Sequence, residues 1–350
     1  MKIAIDCRFI GKSGIGTYIE NVMAEIIKNH PEHEFLLFVE KGTNINGSQG
    51  GQPFQTDIKP FSLKEVFCFP VAEINKCDAF FSPYINIPGR IKVPIYSTIH
   101  DVLFFDVDGI VSPLGKLFRK FYYLRAIKLS KEIFTVSEFS KSRILHHFST
   151  KKNIEVVYNG VSQSICDYKI DSSRNKGDYF IFVGNIKRHK GLHTLVEAFS
   201  QARNRGLKSR LVIVGSNEKL RTADRTLMEK IDKIEGIEFT GWVTNERLMK
   251  LVSEAKALVQ PSLYEGFGIP PFEAICLGTD IIISDIPVFK ELYAEVPNSF
   301  FKAGDADDLA DKLLTFKPND RLDELKTSLL KKYNYHNTSE IILNTILNSR

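Results

Sequence analysis

Short runs of β-branched and aromatic residues alternate with amphipathic stretches along most of the chain. The first run, residues 2–9, precedes a glycine-containing turn and then residues 17–30, whose apolar residues from Ile19 to Ile27 repeat at helical spacing. Strand, turn and helix in this order are typical of a parallel sheet. The other strand-like runs of the first half are residues 34–40, 78–84, 93–100, 132–137 and 154–160.

The alternation weakens over residues 166–178, a polar stretch without an apolar period, and restarts at residue 179. The pattern therefore predicts two parallel-sheet α/β domains joined near residues 166–178. Ligands of such sheets bind beyond the carboxyl ends of the strands, so the loops after strands are the candidate functional segments. The strand-like runs of the second half are residues 179–184, 211–217, 237–243, 255–262 and 279–285.

Length and composition fit this interpretation. A chain of 350 residues with 43% hydrophobic and 25% charged residues has room for two globular cores. The five cysteines lie far apart without a C-x-x-C pair, which favours reduced thiols. The first ten residues indicate a strand rather than a signal peptide, and no apolar stretch is long enough to span a bilayer. We expect a cytoplasmic protein.

The segment Lys116–Lys152 has a strong local excess of positive charge. It contains ten basic residues against two acidic ones, Glu132 and Glu138. The basic residues alternate with aromatic and aliphatic ones, including Phe118 and Phe121. One interpretation is an amphipathic helix that contacts anionic lipid or a pyrophosphate-bearing acceptor. The other is a solvated helix whose aromatic residues belong to the core, and the sequence leaves both open.

Residues 11–18, GKSGIGTY, match parts of two phosphate-binding motifs. A P-loop requires glycine at position 6, which is Asp6, and a dinucleotide fingerprint requires glycine at position 19, which is Ile19. Neither motif is complete. Without the dinucleotide fingerprint, the sequence does not support Glu40 as the ribose-binding acid of a dehydrogenase. What remains is a strand-to-helix turn in which Gly14 and Gly16 permit positive φ and close approach to an anion or sugar.

A second candidate segment, residues 261–280, reads PSLYEGFGIPPFEAICLGTD. Glu265 precedes a Gly-Phe-Gly turn, and Glu273 is expected in the first turn of a helix that Pro270 and Pro271 begin. Seven residues separate the two acids. The glycines flanking Phe267 allow main-chain N–H groups to point at a ligand. Two carboxylates held apart by a fixed turn after a strand predict a ligand site.

These segments resemble the retaining glycosyltransferases of the two-Rossmann, GT-B type, glycosyltransferase family 4, which carry a Glu-x7-Glu motif. The resemblance covers almost the whole chain in the family's order and spacing. It implies two Rossmann-like domains facing a central cleft, residues 1–165 on the acceptor side and 166–332 on the donor side, with a helix in 333–350 packing back on the first. The matching segments are residues 77–84, 93–105, 133–144, 156–162, 182–199 and 261–279.

The resemblance also implies roles for individual residues. Glu273 corresponds to the acid on the donor ribose, Glu265 to the acid beside the transferred sugar, and Lys190 to the lysine on the diphosphate. Many relatives have arginine immediately before that lysine, whereas this chain has His189, which puts part of the charge neutralisation in doubt. The implied catalytic residues are His100, Glu265 and Lys190, and the donor-binding residues are Gly14, Gly16, Asn185, Arg188, His189, Lys190, Trp242, Val243, Gly266, Phe267, Gly268, Ile269 and Glu273.

The reaction implied by the resemblance transfers a hexose, with retention, from GDP-mannose or a UDP-sugar to a hydroxyl of a glycan or lipid-linked saccharide in surface polysaccharide synthesis, as for O-antigen. Lys190, Arg188 and helix-start amides would stabilise the leaving diphosphate, so neither a metal nor another cofactor is expected. The Asp-x-Asp sequences at 106–108 and 305–307 are interpreted as a loop and a helix cap.

The expected partners are the nucleotide-sugar donor, the saccharide acceptor and, through Lys116–Lys152, the inner face of the cytoplasmic membrane; no nucleic acid is expected. Two alternatives stay open. A sugar-nucleotide epimerase on the same architecture would convert the donor with no acceptor present. A non-catalytic member would bind a nucleotide or a membrane without transfer.

Overall fold

The computed structural model describes residues 1–43, 50–170, 176–185, 187–215, 225–297 and 299–348. The chain forms two compact units, Met1–Ser162 with Tyr333–Arg350, and Gln163–Lys332. The first unit thus ends three residues before the predicted boundary at 165. Of the predicted linker, residues 166–178, the central part 171–175 lies outside the described residues.

The first unit is built on seven parallel strands in the order β3-β2-β1-β4-β5-β6-β7. This is a doubly wound order, and it confirms the predicted parallel α/β sheet. The strands are β1 (Lys2–Asp6), β2 (Glu34–Glu40), β3 (Gln52–Thr56), β4 (Ala79–Ser82), β5 (Ile95–Thr98), β6 (Glu132–Thr135) and β7 (Ile154–Val156).

Alternate strand residues point to two separate apolar layers, as expected for a sheet covered on both faces. Ile3 and Ile5 pack with the first helix, whereas Ala4 and Phe80 pack with aromatic residues of the fifth helix on the other face. The helices are α1 (Ser13–Asn29), α2 (Leu63–Cys68), α3 (Val71–Ile74), α4 (Leu103–Asp106), α5 (Pro113–Leu129) and α6 (Glu138–His147).

The second unit repeats this plan with six parallel strands in the order β10-β9-β8-β11-β12-β13. Its strands are β8 (Tyr179–Val183), β9 (Arg210–Val214), β10 (Ile237–Gly241), β11 (Ala257–Gln260), β12 (Asp280–Ser284) and β13 (Phe300–Phe301). Its helices are α7 (Gln163–Cys166), α8 (Leu192–Asn204), α9 (Arg225–Ile231), α10 (Asn245–Glu254), α11 (Ile269–Cys276), α12 (Pro287–Tyr293), α13 (Ala306–Leu314) and α14 (Leu322–Lys332).

The last helix, α15 (Tyr335–Asn348), belongs to the first unit. It packs against α1, where Glu340 accepts a hydrogen bond from His30 at 2.6 Å. The Thr338 hydroxyl donates to the carbonyl oxygen of Tyr158, just after β7. These contacts fix the chain end on the α1 face of the first sheet. Within the described ranges, no helix combines the length and the apolar character needed to cross a bilayer.

Both sheets contain one point at which the strand order reverses, and such switch points are where α/β sheets bind ligands. In the first sheet the reversal lies between β1 and β4, and in the second between β8 and β11. The loops that follow these four strands therefore carry the residues to examine for function.

Candidate active site

An ion pair between Lys190 and Glu265 lies at the switch point of the second sheet. Lys190 ends a 3₁₀ turn, Arg188–Lys190, after β8, and Glu265 lies in the loop after β11. The ammonium Nζ contacts both carboxylate oxygens, at 2.6 and 2.8 Å. Both side chains are mostly buried, with 20% and 9% of their surface exposed. The structure thus brings together two residues that the sequence separates by 75 positions.

Gly191 explains why the two loops approach so closely. Its φ of +70° lies in the left-handed region that favours glycine, and a Cβ at this position would overlap the carbonyl oxygen of Pro261. A hydrogen bond of 2.8 Å from the Leu263 N–H to the His189 carbonyl oxygen ties the same loops together. The position of Lys190 beside Glu265 therefore depends on the backbone of Gly191. Gly191 is not among the residues predicted from the sequence, although a glycine after a basic turn is a usable signal.

Two further polar residues fix the Glu265 carboxylate. The Ser262 hydroxyl donates to Glu265 Oε1 at 2.7 Å, and the Gln260 amide donates to the Ser262 hydroxyl at 2.9 Å. Gln260 and Ser262 are fully buried. Neither residue was predicted from the sequence, where polar side chains at the end of an apolar strand were the available signal. The cation and the hydroxyl together hold the Glu265 carboxylate in one orientation.

Glu273 contrasts with Glu265 because its carboxylate has no partner among the residues that the structure describes. Within the described ranges, no residue contributes a hydrogen bond or a counter-charge to it, and burial alone raises its pKa to about 7. The side chain is half-buried. Helix α11 begins at Ile269, so Glu273 is its fifth residue and lies in the second turn, which corrects the predicted first-turn position.

The turn before α11 has a fixed backbone. Gly268 has a φ of +84°, and a Cβ there would overlap the buried ring of Phe289. The Tyr293 hydroxyl donates to the Gly268 carbonyl oxygen at 3.0 Å, and the Phe267 side chain is buried. Because Pro270 and Pro271 have no N–H, neither of them offers a main-chain donor at this helix start.

The remaining donor-side candidates lie along the carboxyl edge of the second sheet. Asn185 and Arg188 are exposed after β8. Trp242 follows β10, with 82% of its surface exposed, and Val243 beside it is half-buried. One strand, β9, separates β10 from β8, so these loops begin about 10 Å apart. The loop after β9, residues 216–224, lies outside the described residues.

His189 does not supply the positive charge that arginine gives at this position in many relatives. The ring is buried, and burial followed by the Lys190 charge lowers its pKa to about 4. The imidazole is therefore neutral near pH 7. Among the side chains of the Arg188–Lys190 turn, the positive charges belong to Arg188 and Lys190.

In the first unit, His100 lies after β5 and is held by its surroundings. Its Nε2 donates to the Pro83 carbonyl oxygen at 2.9 Å, and the Tyr18 ring packs edge-on at 4.8 Å between ring centres. Burial lowers its pKa to about 4. The carbonyl partner requires the Nε2–H tautomer, which leaves Nδ1 as a hydrogen-bond acceptor. His100 is thus a neutral acceptor, not a proton donor, near pH 7.

Gly14 and Gly16 are not loop residues as predicted. Helix α1 begins at Ser13, so both lie in its first turn, and the positive φ in this segment belongs to Gly11, at +74°. A Cβ on Gly16 would overlap the Phe9 carbonyl oxygen, whereas Gly14 faces open space. Gly16 therefore serves the packing of the turn against the helix, and Gly14 leaves the helix start accessible.

The two Asp-x-Asp sequences are engaged in other contacts. Asp106 pairs with Arg143 at 2.5 Å and with His147 at 2.6 Å. Asp305 is the N-cap of α13 and accepts from the N–H groups of Asp307 and Asp308, as its sequence predicts. Both sequences thus have structural roles in the described fold.

Two family models match successive parts of the chain: Glycosyltransferase Family 4 over residues 74–164, and Glycosyl transferases group 1 over residues 167–332. The chain belongs to the GT-B glycosyltransferases of family 4, as its sequence indicates. Solved structures confirm the fold. The Anabaena protein HepE in complex with UDP and glucose superposes with a TM-score of 0.74 at 14% identity, covering 99% of both chains. Sucrose-phosphate synthase from Thermosynechococcus elongatus gives 0.76 at 15% identity over 98% of both chains.

Curated relatives match part of the chain more closely. The O-antigen chain mannosyltransferase RfbU of Salmonella typhimurium is 32% identical over 56% of this chain and 53% of its own length. The O-antigen chain mannosyltransferase B of Escherichia coli is 23% identical over 62% of this chain and 59% of its own. The chain therefore spans little more than half the length of these relatives.

Proposed function

We propose that this protein transfers a hexose, with retention, from a nucleoside-diphosphate sugar to a hydroxyl of a glycan or lipid-linked saccharide during surface polysaccharide synthesis. The observation that carries the proposal is the pairing of Lys190 with Glu265 at the second switch point, together with the unpartnered carboxylate of Glu273. The two mannosyltransferase relatives favour mannose as the transferred sugar.

Glu273 is suited to bind the donor ribose. A half-buried carboxylate without a partner has unused acceptor capacity, and the two ribose hydroxyls would supply the donors it lacks. Trp242, exposed after β10 and so three strands from β11 on the same edge, would stack on the base. The nucleotide would thus lie along the carboxyl edge of the sheet, as ligands of doubly wound sheets do.

Lys190 is suited to stabilise the leaving diphosphate. Its ammonium has three N–H donors, of which two are directed at the Glu265 oxygens. The third can reach a phosphate oxygen while Glu265 keeps the amine in place. The negative charge that develops as the glycosyl–phosphate bond breaks would be stabilised by this fixed cation, by the Arg188 guanidinium and by the N–H groups at the start of α11.

Glu265 would act on the sugar without forming a covalent adduct. Lys190 and Ser262 orient its carboxylate, so it can accept hydroxyl hydrogen bonds and stabilise positive charge at the anomeric carbon. The acceptor hydroxyl would lose its proton to the departing phosphate oxygen on the same face, which gives retention. His100 would accept a hydrogen bond from a sugar hydroxyl through Nδ1. No metal or other cofactor enters this scheme.

A binding and transfer experiment tests the proposal. Because a ligand that binds only the folded state raises its apparent stability, GDP-mannose, UDP-hexoses and the free diphosphates are screened by thermal shift. The best donor is then assayed with a polyprenyl-pyrophosphate saccharide, with and without EDTA, and the anomeric configuration of the product is read by NMR. We expect stabilisation by one nucleotide class, a retained anomer and EDTA-insensitive turnover.

Each failure has a distinct meaning. Stabilisation by no nucleotide would contradict the donor site. Conversion of the donor without an acceptor would favour the epimerase, and tight donor binding without transfer or hydrolysis would favour a non-catalytic role. Loss of turnover in EDTA, restored by a divalent cation, would contradict the metal-independent mechanism.

A further inference from the structure

Helix α5 of the first unit has two apolar faces. Tyr122, Tyr123 and Ile127 on one face are buried in the core beneath the sheet. The residues on the opposite face follow the same helical period but are exposed: Leu114 by 77%, Phe121 by 50% and Leu124 by 47%. A helix that has already buried one apolar face in its own unit has no packing reason to carry a second one.

Helix α2 extends this exposed apolar face. A Cβ at Gly89 would overlap the Val66 carbonyl oxygen of α2 and would lie 3.7 Å from the Arg125 guanidinium of α5, and Arg125 donates to the Ile87 carbonyl oxygen at 3.0 Å, so the two helices are neighbours. Leu63 and Phe67 of α2 are 72% and 63% exposed. We name the combined set the α2–α5 surface; it consists of Leu63, Phe67, Leu114, Leu117, Phe118, Phe121 and Leu124.

The clustering of these side chains is unusual for a monomeric surface. Among the described residues, thirteen large hydrophobic side chains are exposed, and seven of them belong to the α2–α5 surface. Single exposed hydrophobic residues are normal, but a contiguous apolar patch marks an interaction site. The patch is not an unfilled part of the core, because the layer beneath it is closed by ring contacts such as Phe118–Tyr122 at 5.0 Å.

The charge around the surface is positive. Lys64, Lys120 and Lys128 are exposed on these helices. Helix α5 contains no Asp or Glu, and the acid of α2, Glu65, is buried in an ion pair with Arg8. Not all of the basic segment contributes: Arg125 and Lys152 bind backbone carbonyl oxygens, and Arg143 pairs with Asp106. The exposed charged side chains of α2 and α5 themselves are cations, and the exposed Asp108, which precedes α5, lies 3.8 Å from Lys116.

This charge pattern distinguishes between occupants. A second copy of the chain, docked by two-fold symmetry through the same surface, would bring like charges together. An anionic bilayer accepts both features at once, because the apolar side chains enter the acyl boundary while lysines stay at the phosphate level. We propose that the α2–α5 surface docks the first unit on an anionic membrane, with α5 lying in the plane of the interface.

The inference rests on the proposed function in one respect: an acceptor saccharide carried on a lipid is presented at a membrane surface. The docking surface lies in the first unit, whereas Lys190, Glu265 and Glu273 lie in the second. Membrane binding and donor binding can therefore be measured, and can fail, separately.

The test is co-sedimentation of the full chain with vesicles of phosphatidylglycerol and phosphatidylcholine in about equal parts, compared with pure phosphatidylcholine. We expect binding to the anionic vesicles alone, weakened by about 1 M salt, at which the Debye length falls to about 3 Å. The double variant Leu117→Glu/Phe121→Glu should lose at least about tenfold in vesicle affinity. The matched control is Ile341→Glu, an exposed residue of α15, which packs with α1 on the opposite face of the first sheet, and it should bind as the parent does.

A second variant guards against a folding defect in the first. Lys120→Gln/Lys128→Gln keeps the apolar stripe and should lose about tenfold in affinity for anionic vesicles. Donor-induced thermal shift is measured on every preparation. The proposal is overturned if both double variants bind anionic vesicles as tightly as the parent does. It is also overturned if the parent does not bind anionic vesicles although the donor raises its thermal stability. A variant that changes only the oligomeric state would assign the surface to a protein partner and overturn it equally.

Discussion

The two switch points of this molecule have the same kind of strand order but differ in how far their polar side chains are buried and paired within the protein. In the first unit, the Arg8 guanidinium sits between Asp6, at the end of β1, and Glu65 of α2, with Asn86 donating to both acids. These side chains are at most 2% exposed. In the second unit, Lys190 pairs with Glu265 at the corresponding place but keeps a fifth of its side chain exposed.

The choice of cation accounts for the difference. The planar guanidinium of Arg8 directs its N–H groups at Asp6, at Glu65 and at the Ile58 carbonyl oxygen, so its donors are used within the protein. In the described structure, the Lys190 ammonium has one N–H that no protein acceptor uses, and the Glu273 carboxylate accepts no hydrogen bond. The first switch point is closed by its own residues, whereas the second keeps polar capacity for a ligand. Similar topology therefore gives a closed ion-pair cluster in one unit and, under the proposed function, a donor-binding site in the other.

Breaking the closed cluster should have the largest effect. Arg8→Ala leaves two buried carboxylates without their cation, and burial already raises the pKa of Glu65. We expect the free energy of unfolding to fall by about 3–5 kcal/mol, measured by chemical denaturation followed by circular dichroism. The control is Arg210→Ala, which removes an exposed pair with Glu238 and should cost about 1 kcal/mol or less. Equal losses in the two variants would show that the Arg8 cluster is not a structural centre.

Removing the open cation should affect chemistry rather than folding. We expect Lys190→Ala to lower the turnover number about 10²- to 10³-fold, the usual loss when a fixed group that stabilises transition-state charge is removed. The control is Lys256→Ala, which removes a lysine paired with Asp178 beside the amino end of β11 in the same sheet. Parental turnover in Lys190→Ala, measured by release of the nucleoside diphosphate, would remove Lys190 from the site.

The glycine beneath Lys190 gives a finer comparison. Gly191→Ala adds a Cβ that overlaps the Pro261 carbonyl oxygen, whereas Gly206→Ala adds one in open space at a φ of +101°. In both variants the free energy of unfolding should fall by about 1–2 kcal/mol, because alanine is unfavourable at a positive φ. Only Gly191→Ala must also push the two loops apart, so it alone should lower turnover, by about tenfold or more. Similar turnover in the two variants would contradict a role for this contact in positioning Lys190.

The strands were largely predictable because both sheets are buried on two faces and their strands are nearly continuous apolar runs. Strand β3 was missed for the converse reason. Its sequence, QPFQT, is polar and contains Pro53, and it forms the edge of the first sheet, where a missing ladder hydrogen bond is tolerated. Edge strands of this kind carry little signal in their own residues.

The site was predictable only where it forms a motif. Glu265 and Glu273 stand out in the sequence because a Gly-Phe-Gly turn and two prolines fix the chain between them. The partners of Glu265 and the whole Arg8 cluster depend on which loops the topology brings together, and this information is not local. The α5 helix shows the same limit. Its composition left open a helix that contacts lipid or a pyrophosphate-bearing acceptor and a solvated helix with aromatic residues in the core, and the structure buries one apolar face and exposes another.

The central claim is that the carboxyl edge of the second sheet holds the ribose and diphosphate of a nucleotide sugar. It is tested most directly by calorimetric titration of GDP and UDP into the parent and into Glu273→Gln between about pH 6 and pH 8.5. Because burial raises the Glu273 pKa to about 7 and ribose hydroxyls bind the ionised form, parental affinity for the preferred nucleotide should rise through this range and level off above it. Glu273→Gln should bind more weakly and show a smaller rise. Affinity and pH dependence equal to those of the parent would contradict the account.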